Sequence, residues 1–157
     1  MKVVIAGDHA GFPLKEKIKA YLVERGHQVT DVGTFSEDPV DFPDLARALC
    51  TEILNDRADR GIMCCGTGVG ASIAVNKIPS MRAALCHDTH CAHQCVEHDN
   101  ANVLCIGHWI VGVKLAEEIV HAFLAATFSE NEDCRRRVEK LHALEQWAHE
   151  QFSLRNR

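Results

Sequence analysis

Short apolar segments alternate with longer segments of helical periodicity along nearly the whole chain. The apolar runs predict five strands, at residues 2–7, 28–32, 60–65, 81–86 and 102–107. The remaining patterns predict helices at residues 13–25, 42–54, 67–76, 89–97, 113–126 and 132 to about 151. In the first helix, Leu14, Ile18 and Leu22 share one face, as a helix packed on a sheet requires.

This strict alternation predicts parallel strands joined by right-handed crossovers. The expected fold class is α/β, a three-layer α/β/α sandwich with a five-stranded parallel sheet and an additional C-terminal helix. Residues 1–157 are expected to form one domain, because this length suits a single core and only residues 129–133 resemble a linker. The helix at about 132–151 is expected to pack on a partner subunit.

Charge and composition narrow the range of partners. A net charge of -5 and a pI near 6.0 offer no basic surface for nucleic acid or an anionic membrane, so we expect a small-molecule ligand. No apolar run has transmembrane length, and a cytoplasmic location is expected. The eight cysteines, two of them adjacent, do not suggest a secreted disulfide framework and are expected to be reduced.

The most informative segment is GIMCCGTGVG at residues 61–70, an apolar strand that ends in Cys65 and opens into a glycine-rich loop. Backbone N–H groups at the start of the following helix favour a thiolate and bind an oxygen that becomes negative. The segment therefore predicts a reactive thiol beside an oxyanion-binding loop. A small buried strand residue before a tight turn would produce the same pattern.

Asp8 and His9 follow the first strand, between Gly7 and Gly11. They suit a site for a hydroxyl or phosphate group, or equally a helix N-cap with a solvated histidine. Neither this segment nor the loop after Cys65 has the Gly-x-Gly-x-x-Gly spacing of a dinucleotide site, and the loop lacks the lysine of a P-loop. Nicotinamide and ATP binding are therefore weak alternatives.

Residues 86–98 are rich in cysteine and histidine. Their spacing matches no standard zinc signature, so a metal-dependent thiol protein stays an alternative only. His98 stands apart at the end of the predicted helix. It is expected to be an acid-base residue facing the loop after Cys65, or else a helix-end histidine stabilised by the helix dipole.

Six short motifs occur in order along the chain: GDHAG at 7–11, DVGT at 31–34, VDFPD at 40–44, CGTGVG at 65–70, NK at 76–77 and HDNANVL at 98–104. Together they closely resemble the ribose-5-phosphate isomerase type B family, which also includes the galactose-6-phosphate isomerase subunits. The resemblance covers residue 1 to about 145. The Cys-Gly-Thr-Gly-x-Gly turn is specific for this family.

The resemblance implies a Rossmann-like, metal-independent aldose-ketose isomerase that needs no cofactor and acts on a sugar or sugar phosphate. It implies a homodimer or dimer of dimers whose active sites use both subunits. Cys65 would be the base that moves a proton between C1 and C2, Thr67 would assist at the sugar oxygen, and His98 would open the furanose ring. The glutamate base of some members is absent, since Ala71 takes its place.

The resemblance also implies a set of substrate-binding residues: Asp8, His9, Asp41, Gly66, Gly68, Val69, Gly70, Asp99 and Arg137. The loop N–H groups from residues 66 to 70 would stabilise the enediolate. No residue is implied as a metal ligand.

Two departures from the family pattern concern the substrate. Trp109 and Asp133 stand where arginines are usual, and only Arg137 remains of three phosphate-binding arginines. Loss of these cations weakens binding of a phosphate dianion. We therefore hypothesise a different sugar, either another phosphate or an unphosphorylated aldose, with a non-catalytic sugar-binding protein as the alternative function.

Overall fold

The structure, a computed structural model, describes residues 1–155. Its strands are β1 (Lys2–Gly7), β2 (Gln28–Asp31), β3 (Arg60–Cys65), β4 (Ala83–Leu85) and β5 (Val103–Gly107). Its helices are α1 (Phe12–Glu24), α2 (Phe42–Leu54), α3 (Val69–Val75), α4 (Thr89–Asp99), α5 (Val113–Ala125) and α6 (Glu132–Arg155). The predicted alternation of strands and helices is confirmed.

All five strands are parallel, in the order β2-β1-β3-β5-β4. The register pairs Gly7 with Cys64 and Cys65 with Gly107, so β1, β3 and β5 finish side by side. We call the side where the strands finish the carboxyl end of the sheet, and the opposite side the amino end. Turns that follow the three central strands are therefore neighbours at the carboxyl end.

The two faces of the sheet are covered by different helices. On β3, Ile62 and Cys64 belong to a core shared with α1, α4 and α5. Met63 and Cys65 belong to a second core, shared with α2 and α3. This alternation is the period of two that a strand imposes, and it confirms the three-layer sandwich.

Several element boundaries differ from the sequence-based expectation, and three of the differences are instructive. α3 begins at Val69, two residues later than predicted, because Gly68 adopts φ +80° and cannot continue a right-handed helix. β4 is shorter, since the Arg82 N–H donates to the Asn102 side chain (2.8 Å) instead of to the ladder. α6 continues to Arg155, about four residues beyond the predicted end, and residues 156–157 lie outside the described residues.

α6 packs along α4 within its own subunit, where Cys134 and Val138 are buried. Further along, the Ser80 N–H donates to the Glu145 carboxylate at 2.9 Å. Leu144 and Trp147 stay exposed on the same helix. Within residues 1–155, no helix is long and apolar enough to cross a lipid bilayer.

Candidate active site

The Cys65 thiol lies against a carboxylate. Its Sγ donates to Asp8 Oδ2 at 2.9 Å, and the Gly11 N–H donates to Asp8 Oδ1 at 2.8 Å. Both Cys65 (9% exposed) and Asp8 (5% exposed) are buried. The pair forms because β1 and β3 are adjacent, so the residue after β1 meets the last residue of β3. Sequence reasoning did not anticipate this contact, because β1 and β3 are neighbours in the sheet but are separated by β2 in the chain.

The surroundings of Cys65 oppose ionisation of the thiol. Burial raises the pKa of Cys65, the hydrogen bond to Asp8 raises it further, and backbone N–H groups of Gly68 and Gly66 lower it. The net pKa is raised. The expectation of a favoured thiolate is therefore wrong for the free protein, because burial and the neighbouring carboxylate outweigh the backbone N–H groups of the glycine loop.

The loop after Cys65 is held to the end of β5. The His108 N–H donates to the Cys65 carbonyl at 2.8 Å, and the Trp109 N–H donates to the Gly66 carbonyl at 2.9 Å. The Val69 N–H points back to the Thr67 hydroxyl oxygen at 3.4 Å. These hydrogen bonds connect the loop to the end of β5 and to itself, and Thr67 is exposed at its tip.

His9 and Asp41 lie at the same end of the sheet. The Val40 N–H donates to His9 Nδ1 at 3.3 Å. The Phe42 ring packs so closely on Gly70 that a Cβ there would lie 3.1 Å from it. Asp41 lies between these two anchored residues, exposed beside both the first turn and the glycine loop.

His98 and Asp99 lie at the amino end of the sheet. α4 starts at the carboxyl end after β4 and finishes just before β5, whose first residue pairs with Gly61. Gly61 and Cys65 are four strand residues apart, or roughly 13 Å at 3.3 Å per residue. The expectation that His98 faces the loop after Cys65 is therefore wrong within one subunit.

Arg137 belongs to the same amino end. The linker before α6 is tied to the end of α4 by the Ser129 N–H, which donates to the Glu97 carbonyl at 2.9 Å. Arg137 is exposed two turns into α6. Asp133 forms an ion pair with Arg136 at 2.7 Å, so the negative charge that replaces a usual arginine is partly compensated.

The predicted site residues thus form two separate sets. The carboxyl set contains Asp8, His9, Asp41, Cys65, Gly66, Thr67, Gly68, Val69 and Gly70. The amino set contains His98, Asp99 and Arg137. A cavity of about 310 Å³ lies at the amino end and is lined by residues that include Asp99, but not by Cys65. No residue of the carboxyl set lines this cavity.

A buried ion pair, which sequence reasoning missed, supports the carboxyl set. Lys15 is 0% exposed, and its Nζ lies 2.6 Å from Asp31 Oδ2. Lys19 contacts the same oxygen at 2.7 Å. Burial raises the pKa of Asp31, but the hydrogen bonds from Lys15 and Lys19 lower it more, and the net pKa is lowered. The pair joins α1 to the end of β2, immediately beside the turn that carries Asp8.

The cysteine- and histidine-rich segment has local structural roles. The Asp88 carboxylate accepts the Cys91 N–H at 2.7 Å and caps α4. The Cys95 thiol donates to the Ala92 carbonyl one turn earlier in α4, at 3.3 Å. Among residues 1–155, no group of three or more His, Cys, Asp and Glu side chains is arranged to hold a metal ion.

Comparisons with known proteins agree with this architecture. The sequence profile of the family described as Ribose/Galactose Isomerase matches residues 3–141. Ribose-5-phosphate isomerase B of Escherichia coli strain K12 is 42% identical over 145 residues, which cover 92% of this chain and 97% of that protein. D-erythrulose-4-phosphate isomerase of Pectobacterium atrosepticum is 38% identical over 143 residues, covering 90% and 93%. The solved structure of Clostridium thermocellum ribose-5-phosphate isomerase B matches with a TM-score of 0.91 at 40% identity, covering 94% and 99%.

Proposed function

The chain belongs to the ribose/galactose isomerase family and is an aldose-ketose isomerase of sugar phosphates, and we propose that Cys65 is its catalytic base. The observation that carries this assignment is the buried contact between Cys65 Sγ and Asp8 Oδ2, at the start of the glycine loop. A thiol in contact with a carboxylate and with backbone N–H groups can exchange a proton without leaving its position.

In the proposed reaction, the Cys65 thiolate removes the proton from C2 of the open-chain aldose. The electrons of the broken C–H bond form the C1–C2 double bond, and the charge moves to O1 of the enediolate. The Cys65 thiol then returns its proton to C1. Over the whole reaction, the C2 hydroxyl loses a proton and O1 gains one. The exposed Thr67 hydroxyl is proposed to carry this proton between the two oxygens.

Asp8 and the glycine loop are proposed to position the Cys65 thiol and to stabilise its thiolate. Asp8 positions Cys65 and accepts its proton when the thiolate forms, while N–H groups of Gly66 and Gly68 stabilise the sulfur anion. The N–H groups of Thr67 and Gly70 are proposed to bind the enediolate oxygen, where one such donor contributes about 3 kcal/mol. His9 and Asp41 bind the distal hydroxyls.

The missing half of the site comes from a partner subunit. In a symmetric dimer that joins the amino end of each subunit to the carboxyl end of the other, every Cys65 meets the partner's His98, Asp99 and Arg137. Two equivalent sites result, each covered by the amino end of the partner subunit. His98 then protonates the ring oxygen and opens the furanose, and Arg137 binds the charged end of the substrate.

The preferred substrate is proposed to be a sugar other than ribose 5-phosphate. Relatives are named for isomerases of a pentose phosphate and of a tetrose phosphate, so the family scaffold accommodates different chain lengths. Trp109 and Asp133 remove two cations that a phosphate dianion would use.

The decisive experiment is an isomerisation assay of ribose 5-phosphate, ribose, allose and tetrose phosphates with the wild type, Cys65→Ser and Cys64→Ser. We expect Cys65→Ser to lower kcat by at least about 100-fold. Cys64→Ser is the matched control and keeps most activity, because Cys64 packs in the opposite core. Equal losses in both variants would reject Cys65 as the base. A KM for ribose 5-phosphate below about 1 mM, with good turnover, would reject the change of substrate.

A further inference from the structure

Trp109 presents an open aromatic face at the rim of the glycine loop. Its ring lies over Gly66, so closely that a Cβ at that position would be 2.7 Å from the ring. Its main chain is tied to the same residue by the N–H that donates to the Gly66 carbonyl. The indole is nevertheless 69% exposed. A large apolar side chain is thus fixed beside Cys65 with one face turned to solvent.

An exposed indole in this position is suited to a sugar. The face of an aromatic ring is negative, and the C–H groups of a carbohydrate chain are weakly positive, so the two stack favourably once water leaves. Ligand sites commonly combine such an apolar surface with a few polar groups that set the orientation. Here Cys65, Asp8 and the loop N–H groups supply the polar part.

Four cations near this end of the sheet are paired with carboxylates. Lys15 and Lys19 both contact Asp31, Arg47 lies 3.1 Å from Asp44, and Lys114 lies 2.8 Å from Glu117. These cations are already neutralised, and Trp109 carries no charge. Recognition by one subunit at this rim therefore depends on contact area more than on charge.

We propose that Trp109 is a specificity-determining residue whose indole stacks on the carbon chain of the bound sugar, so that the enzyme recognises the body of the sugar more than its terminal phosphate. This inference rests on the proposed function, because it places the sugar over the Cys65 loop. It defines the substrate class as aldoses bound through their carbon chain, with a modest contribution from a phosphate.

Steady-state kinetics on matched pairs of phosphorylated and free sugars test the proposal, using ribose and erythrose with their terminal phosphates. We expect Trp109→Leu to raise KM roughly tenfold for both members of a pair, with kcat changed less than about threefold. Trp109→Phe keeps an aromatic face and stays within about threefold of wild type. Trp109→Arg increases the preference for the phosphorylated member.

Three results would overturn the proposal. The first is an unchanged KM in Trp109→Leu. The second is a rise confined to the phosphorylated sugar, which would mean that the indole affects only the phosphate. The third is a fall in kcat and Tm at constant KM, which would mean that Trp109 only supports the loop.

A binding measurement separates this proposal from the proposed function. The chain has two tryptophans, so in a Trp147→Phe background all indole emission comes from Trp109. Ribitol and ribitol 5-phosphate have no carbonyl group and cannot react. We expect both to change the Trp109 emission with saturation. Saturable binding without turnover of any sugar would reject the isomerase function and keep the stacking role, whereas turnover without any change in emission would reject the stacking role alone.

Discussion

The two ends of the sheet differ in how much of the active site each holds and in how firmly it is built. At the carboxyl end, Cys65 and Asp8 are buried in contact, and the loop beside them is bonded to the end of β5. At the amino end, His98, Asp99 and Arg137 are all exposed on helices. In the proposed active site, the carboxyl end supplies the buried pair of Cys65 and Asp8, and the amino end supplies exposed side chains that a partner subunit would bring to it.

The difference follows from chain topology. In a parallel sheet, every turn after a strand returns to the same end, so reactive residues at those turns converge without help from another chain. Residues at the ends of crossover helices arrive at the opposite end. A site that needs both kinds of residue has to be completed by a second copy.

Subunit mixing gives the largest expected effect. Cys65→Ser and His98→Gln each lose at least about 100-fold in kcat when assayed alone. After unfolding and refolding of an equal mixture, half of the dimers contain both variants, and each of these has one intact site. The mixture should therefore recover about a quarter of wild-type activity.

The control for this experiment mixes Cys65→Ser with a variant of the same end, Asp8→Asn. Cys65 and Asp8 of each site come from the same subunit. In a hybrid dimer, one site therefore carries Cys65→Ser and the other carries Asp8→Asn, so neither site is intact. The activity recovered should stay below that of the mixture with His98→Gln. Absence of recovery with His98→Gln would place the whole site in one subunit and remove the contrast between the two ends.

The next largest effect concerns the buried ion pair that supports the carboxyl end. Asp31→Asn removes one of two carboxylates that contact the fully buried Lys15, the other being Glu16 at 2.7 Å, and should lower the free energy of unfolding by about 2 kcal/mol in urea titrations at neutral pH. Asp44→Asn is the matched control, because its ion pair with Arg47 is exposed and contributes about 0.5 kcal/mol.

The pH dependence of this effect has a defined sign. The pKa of Asp31 is lowered in the folded protein. Its contribution to the free energy of unfolding is therefore complete above its pKa in the unfolded chain, about 4, and is lost as the pH falls through its pKa in the folded protein. The difference in the free energy of unfolding between wild type and Asp31→Asn should therefore become smaller at acidic pH. A gap that is constant from pH 7 to pH 3 would contradict the ion-pair explanation.

A third test concerns ionisation of the thiol. Asp8 raises the pKa of Cys65, so Asp8→Asn should lower it and give more thiolate at neutral pH. The pH profile of Cys65 alkylation by iodoacetamide, followed by mass spectrometry, should move to lower pH. Cys91 is the internal control, since the carboxylate that acts on it belongs to Asp88. An unchanged Cys65 profile would mean that burial alone sets its pKa.

The smallest effect is expected at the amino end. Glu145 accepts the Ser80 N–H on the surface, so Glu145→Ala should change the free energy of unfolding by only about 0.5 kcal/mol. Urea titration of the variant measures this directly. A loss comparable to that of Asp31→Asn would show that α6 is as firmly built into the subunit as the carboxyl end.

Much of the carboxyl set was predictable from sequence because its signals are local. A strand that ends in Cys65 before a glycine turn needs only neighbouring residues to be recognised, and the period of two places Cys64 on the other face. His98 was placed incorrectly for the same reason. The local sequence around a helix-end histidine does not show at which end of the sheet that helix finishes. The direction of the helix and the strand order are needed to place it.

The sequence by itself determined the alternation of strands and helices, the parallel sheet, the two-faced strands and the residues that follow each strand. These depend on periodicity and turn chemistry within a few residues. Only the tertiary structure decided the strand order β2-β1-β3-β5-β4, which places Asp8 against Cys65, and the separation of His98 from both. It also decided the direction of the Cys65 pKa, because that depends on burial and on a carboxylate 57 positions away in the chain.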